Sequence, residues 1–170
     1  HLETRISLPV SSNLLLSPNG HFIIGKGADR KTDPEHVIGR LSVVDLKKAE
    51  VVTTLNLKDI YPSTYRFSPC GEKLYVNEQR DNIKKNSLLV FDATALPTLK
   101  LLKEVSIGVA DCSRRPIAYT ANYLFFPNPS DGTLSILDAK DESLLETVTI
   151  GEPGSKEVLF SFFDGTVDGC

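Results

Sequence analysis

Apolar residues in this chain come in short runs rich in Val, Ile, Leu, Phe and Tyr, each bounded by Gly, Pro, Asn, Asp or Ser. No window holds the 3.6-residue period of an amphipathic helix, so the pattern predicts strands throughout and an all-β chain. The predicted strands fall at Thr4–Pro9, Asn13–Leu16, His21–Gly25, Leu41–Asp45, Val51–Leu57, a run from Tyr65, Lys73–Val76, Leu88–Asp92, Leu101–Ile107, Ile117–Asn122, Phe125–Asn128, Leu134–Asp138 and Leu145–Ile150.

These strands repeat. Leu41-Ser-Val-Val-Asp45, Leu88-Leu-Val-Phe-Asp92 and Leu134-Ser-Ile-Leu-Asp138 start 47 and then 46 residues apart, and each is followed by a polar linker and another apolar strand. The turns ahead of them repeat too. Leu14-Leu-Leu-Ser-Pro-Asn-Gly20 matches Tyr65-Arg-Phe-Ser-Pro-Cys-Gly71, with the glycines 51 apart, and a further 51 residues reaches Asn122. Asn tolerates the left-handed backbone that Gly supplies at such a turn, so Asn122 is expected to take that role in the third copy. A fourth copy opens at Val158-Leu-Phe-Ser-Phe-Phe-Asp-Gly165 and stops with the chain; Phe160, Phe162 and Phe163 read as packing residues.

A repeating four-stranded unit of about 40 to 50 residues is a propeller blade. The signature Ser68-Pro-Cys-Gly71, Leu74-Tyr-Val-Asn77 and Leu88-Leu-Val-Phe-Asp92 resembles the YVTN family of β-propellers, related to those of surface-layer proteins and of quinoprotein amine dehydrogenase large subunits. The resemblance implies about three four-stranded antiparallel sheets plus part of a fourth, with copies bounded at about 4–45, 51–92, 101–138 and 145–170 in one propeller segment. It also implies a periplasmic or cell-surface setting. Three blades and a fraction do not close a ring. A partial propeller is therefore expected, completed by missing blades, by a protein partner or by a second copy as a homodimer.

Composition trims the functional classes. Among 170 residues, 19 basic and 22 acidic side chains give a net charge of -3, without the basic stripe that nucleic acid requires. No apolar run approaches the ~20 residues of a membrane span. The chain contains no Met, which suggests a processed or excised piece. Cys70, Cys112 and Cys170 match no zinc or haem spacing and read as unpaired thiols.

Chemistry is expected on the face where strand b meets c and where one repeat passes to the next. The segments Lys26–Arg40 and Glu78–Asn86 are long and charged, and they offer Arg30, His36, Arg40 and Arg80 as ligand or partner contacts. Arg114 and Arg115 enter the third copy from that same face, where a guanidinium could grip a carboxylate or phosphate. Strand alternation lets at most one of the pair line the channel. His36 beside Glu35 has no second histidine near it to complete a metal or catalytic site. The recurring Asp45, Asp92 and Asp138 are expected to accept backbone amides two residues on, in the c–d turns.

No phosphate loop, nucleophile elbow, zinc-protease helix or calcium loop is present, so no catalytic residue, metal or cofactor is assigned. The reading is a non-catalytic β-propeller scaffold that binds a partner protein or small ligand through long charged loops. The resemblance also supports an alternative, the propeller subunit of an amine dehydrogenase-like oxidoreductase whose cofactors sit on other chains.

Overall fold

The computed structural model describes residues 6–8, 13–29, 37–79, 86–108, 117–128 and 130–154, with backbone alone at Gln79 and Asn86. Twelve strands are assigned among them. They are β1 (Asn13–Leu16), β2 (Phe22–Asp29), β3 (Ile38–Asp45), β4 (Glu50–Lys58), β5 (Tyr61–Phe67), β6 (Lys73–Gln79), β7 (Asn86–Asp92), β8 (Lys100–Gly108), β9 (Ala118–Tyr119), β10 (Tyr123–Asn128), β11 (Thr133–Asp138) and β12 (Leu144–Thr149). They form three four-stranded sheets, each in simple chain order: β1-β2-β3-β4, β5-β6-β7-β8 and β9-β10-β11-β12. Every pairing within a sheet is antiparallel. We call the strands of each sheet a to d in that order.

The all-β, three-blade expectation holds, and the strands group differently from the expected copy bounds. Those bounds put each strand d with the copy that follows it, whereas β4, β8 and β12 pair with β3, β7 and β11 of the preceding strands. Short hairpin turns favour a meander of chain neighbours, so strand d stays with its own strand c. Ile6–Leu8, the described part of the expected strand Thr4–Pro9, form no strand. The fourth copy from Val158 lies outside the described residues.

The turns repeat as chemistry. Asp45 accepts from the Lys47 amide at 2.9 Å, Asp92 from the Thr94 amide at 2.9 Å, and Asp138 from the Lys140 amide at 2.6 Å. All three are the expected Asx turns. At the a–b turn, Ser17 and Ser68 bond across four intervening residues to Phe22 and Lys73, with Gly20 at φ 70° and Gly71 at φ 76°. The third a–b turn differs. Thr120 bonds directly to Tyr123 across Ala121 and Asn122, and Asn122 does not take a positive φ. The alignment of Asn122 with Gly20 and Gly71 is therefore wrong, because two residues are missing from the loop. What recurs is the hydroxyl: Ser17, Ser68 and Thr120 each accept the amide that opens strand b, at 2.9, 3.0 and 3.1 Å.

Strand alternation sends successive residues to opposite faces, and each sheet buries one face against each neighbour. Ile24, Leu41 and Val43 of sheet 1 meet Phe67, Leu74, Val76, Leu89 and Phe91 of sheet 2 in one core. Tyr75, Leu88, Val90 and Ile107 of sheet 2 meet Leu124, Phe126 and Leu137 of sheet 3 in a second. The c–d pairing slips at the same place in every sheet, between Val43 and Val44, between Val90 and Phe91, and between Ile136 and Leu137. Such bulges bend an outer strand and blunt its open edge against stray pairing. No helix among the described residues is long and apolar enough to cross a membrane.

Candidate functional site

The strand ends carrying the b–c and d–a connections form an upper rim, and polar side chains are drawn into it at both seams between sheets. At the first seam, Lys26 sits near the end of β2 on the face toward sheet 2. It is only 4% exposed, and its ammonium donates to the carbonyls of Pro62, at 3.1 Å, and of Ser63 at the start of β5. The same ammonium lies 5.9 Å from the centre of the Tyr65 ring. Tyr65 donates its hydroxyl back to sheet 1, with the carbonyls of Asn13 and Ile24 at 2.8 and 2.9 Å. Burial pushes the Tyr65 hydroxyl well above its ordinary pKa, so it is held as the neutral donor.

Gly39 of β3 is where the d–a connection presses in. A Cβ there would collide with the Ile60 carbonyl and lie 2.7 Å from Pro62 Cδ. Arg40, one residue on, is paired with Gly27 across the ladder and reaches past that side-chain-free position to Asp29, at 3.0 Å. At the second seam, Asn128 donates to Ser135 at 2.9 Å, and Ser135 donates to the Ile107 carbonyl of sheet 2 at 3.2 Å. Gly108 lets the same Asn128 approach, since a Cβ would stand 2.8 Å from its Oδ1. Along the inner strands, Arg66 of β5 stacks 4.5 Å from the Tyr119 ring and donates to the Ile117 carbonyl at 3.2 Å.

Among the described residues, the opposite, lower rim carries one buried charged cluster. Glu142, buried in the c–d turn of sheet 3, takes Lys73 at 2.5 Å, Lys103 at 2.9 Å and the Tyr75 hydroxyl at 3.3 Å. Burial, then the charge of Glu142, pushes the Tyr75 hydroxyl up from its ordinary value. The cluster ties sheet 3 to sheet 2 and leaves its carboxylate no open side for a ligand.

The expected site residues fare unequally. Arg40 is expected on a long charged loop, but it belongs to β3 and is held by Asp29. The strands run into both expected loops, through Asp29 and from Ile38 in sheet 1 and through Gln79 and from Asn86 in sheet 2, because ladder bonds continue wherever the chain can pair. Glu78, read as part of a charged loop, is buried within β6. Arg30, His36, Arg80, Arg114 and Arg115 lie outside the described residues. Cys70 is disulfide-bonded, which corrects its reading as an unpaired thiol, and Cys112 and Cys170 lie outside the described residues. No group of three His, Cys, Asp or Glu suited to a metal occurs among the described residues.

Sequence reasoning passed over Lys26, Tyr65, Arg66, Asn128 and Glu142. For Lys26 and Tyr65 a signal existed: they stand opposite Leu41 and Val76 in their ladders, and polar groups placed among apolar ones must find a bond.

No family model matches the chain, and no curated protein matches it. Solved structures do. Hydrazine synthase of Kuenenia stuttgartiensis superposes with a TM-score of 0.58 at 13% identity, over 81% of this chain and 49% of that one. The β-propeller domain of Cps50 (Swd1) from Myceliophteria thermophila superposes with a TM-score of 0.58 at 16% identity, over 84% and 42%. The β-propeller domain of the trilobed protease from Pyrococcus furiosus, described as having an open velcro topology, gives 0.55 at 18% identity, over 82% and 42%. What is shared at these identities is the propeller fold, and the chain spans less than half the length of each of these proteins.

Proposed function

We propose that this chain is a run of YVTN-like propeller blades that works as a non-catalytic scaffold, holding a partner protein or small ligand on its upper rim, with further blades completing the ring. The observation that carries the reading is the anchoring of that rim. Lys26, bonded to the carbonyls of Pro62 and Ser63, and Arg40, bonded to Asp29, fix the strand ends from which the charged connections depart. A rigid scaffold beneath long polar connections is the usual construction of a binding face. Arg30, His36, Arg80, Arg114 and Arg115 are the proposed contacts, with Arg40 as an anchor. The disulfide at Cys70 supports an oxidising compartment, in agreement with the resemblance.

The test is capture by the immobilised chain, compared with three variants: Arg30→Ala with His36→Ala, Arg80→Ala, and Arg114→Ala with Arg115→Ala. A partner retained by the parent chain and lost by at least one variant is the expected result. A partner held equally by all three overturns the upper-rim assignment.

A further inference from the structure

The a–b turns of sheets 1 and 2 each present an exposed corner followed by a glycine. In sheet 2 the corner is Cys70, which is disulfide-bonded; in sheet 1 it is Asn19, with Gly20 next to it. A side-chain amide before a glycine carries a reaction of its own. The following backbone nitrogen is one five-membered ring away from Cγ, and glycine places no Cβ in the approach.

The turn of sheet 1 holds that amide still. The Gly20 amide donates to the Ser17 carbonyl at 2.8 Å, closing the turn through Pro18 and Asn19. The Ser17 hydroxyl donates to Asn19 Oδ1 at 2.7 Å, and the His21 amide donates to the same oxygen at 3.0 Å as an Asx turn. Ser17 is buried and also accepts the Phe22 amide at 2.9 Å, so one hydroxyl fixes both the opening of β2 and the side chain of Asn19. While these bonds stand, the Gly20 N–H is committed to Ser17 and its nitrogen does not reach Cγ.

This corner also has room to open. In sheet 2 a Cβ on Gly71 would stand 2.9 Å from Pro18 Cγ, whereas nothing lies within 4 Å of a Cβ on Gly20. Among the described residues, Asp131-Gly132 is the other Asp or Asn followed by glycine. There a Cβ would collide with the Gly151 carbonyl, and the Gly132 carbonyl takes the Ile150 and Gly151 amides. β1 is four residues long, with Leu14 60% and Leu16 56% exposed, so it buries little that would keep the sheet 1 turn shut.

We propose that Asn19 is a self-modification site: when the turn opens, the Gly20 nitrogen attacks Asn19 Cγ, and the isoaspartate that follows loosens β1 from β2. The nitrogen loses its proton to solvent base and bonds to Cγ; the Cγ–Nδ2 bond breaks, and Nδ2 leaves as ammonia with a proton from water. Water then opens the cyclic imide, at the side-chain carbonyl to give aspartate or at the main-chain carbonyl to give isoaspartate. The sum is amide plus water to carboxylate plus ammonium. Aspartate keeps the oxygen that Ser17 and His21 bond, with a charge that strengthens both bonds. Isoaspartate routes the main chain through Cγ, one methylene longer, so the bonds of Gly20 and Phe22 to Ser17 lose their register. β1 then keeps the Tyr65 hydroxyl on the Asn13 carbonyl and loses its closure to β2.

The experiment is incubation at mildly alkaline pH with peptide mass spectrometry of the turn, for the parent chain, Ser17→Ala and Ser17→Thr, each checked by circular dichroism, and for the parent in urea as the open turn. Conversion of Asn19 is expected, slower in the folded parent than in urea. It should run about fivefold faster in Ser17→Ala, as the loss of one hydrogen bond allows, and at the parent rate in Ser17→Thr, since Thr120 makes the same bond in sheet 3. An Asn19 that stays intact in every folded chain while converting in urea overturns the site. A folded parent as fast as the chain in urea, or Ser17→Thr as fast as Ser17→Ala, overturns the control by the hydroxyl. Hydrogen exchange tests the products: faster exchange of the β1 amides is expected in the isoaspartate chain and parental exchange in Asn19→Asp, and an isoaspartate chain that exchanges like the parent overturns the loosening of β1.

Discussion

The two seams of this molecule solve one packing problem with their polar ends exchanged. Both have an apolar middle built from strands b to d of one sheet and strands a to c of the next. In the first, the lower rim is apolar, closed by Leu96 and Leu99, and the buried charge is at the upper rim, where Lys26 caps two carbonyls. In the second, the described residues that meet at the upper rim, Asn128 and Ser135, are neutral, and the buried charge lies below, where Glu142 holds two lysines. The difference teaches that the fold requires a filled middle and leaves the chemistry at each rim free. A charge is tolerated at either end provided that the neighbouring sheet answers it.

Gly39→Ala should break the first seam most severely. Its Cβ would meet backbone at Ile60, which cannot step aside, so a loss of about 3 kcal/mol is expected in urea unfolding. Next come the lower rims, where Leu99→Ala should cost ~2.5 kcal/mol through a cavity. Glu142→Ala should cost ~2 kcal/mol, discounted because Lys73 and Lys103 keep partial contact with water. Salt separates the two: at 1 M NaCl the Glu142 effect should shrink and the Leu99 effect should not. Equal salt responses would remove the distinction between the seams.

Lys26→Met keeps the apolar stem and removes two charge-assisted bonds, so about 1 kcal/mol should go, visible as a lowered urea midpoint at unchanged slope. Alkaline titration addresses both seams together. The hydroxyls of Tyr65 and Tyr75 are raised, so the folded chain holds those protons more tightly than the unfolded one. Their contribution is whole below the ordinary tyrosine value of ~10 and is lost as pH rises above it. Glu142→Gln should ease that loss at Tyr75, whose shift includes the Glu142 charge, and leave Tyr65 untouched. The smallest effect is expected at Asn77. Its Oδ1 is buried and accepts no hydrogen bond, so Asn77→Leu should leave the melting temperature unchanged or raised.

Much of the fold was legible because its signals are local. Asp45, Asp92 and Asp138 announce their turns within two residues, and Gly20 and Gly71 announce theirs through the backbone they permit. Asn122 misled because equal spacing stood in for a turn that is two residues shorter, while the true marker, the hydroxyl of Thr120, stands where Ser17 and Ser68 do. The site was far less legible. Arg40 looked like a loop cation because its ladder partner Gly27 lies across a long connection. Glu142 looked like a solvated linker residue because Lys73 and Lys103 lie dozens of residues earlier in the chain.

By itself the sequence determined that the chain is all β, that its strands come in fours, and which residues of a strand share a face. Turn chemistry and the two-residue period are properties of neighbours along the chain. Only the tertiary structure decided which polar groups are buried and what answers them. Alternation tells a side chain which way to point, but the cost of a charge there depends on the carbonyls, lysines and hydroxyls that another sheet brings within about 3 Å in a medium poor in water.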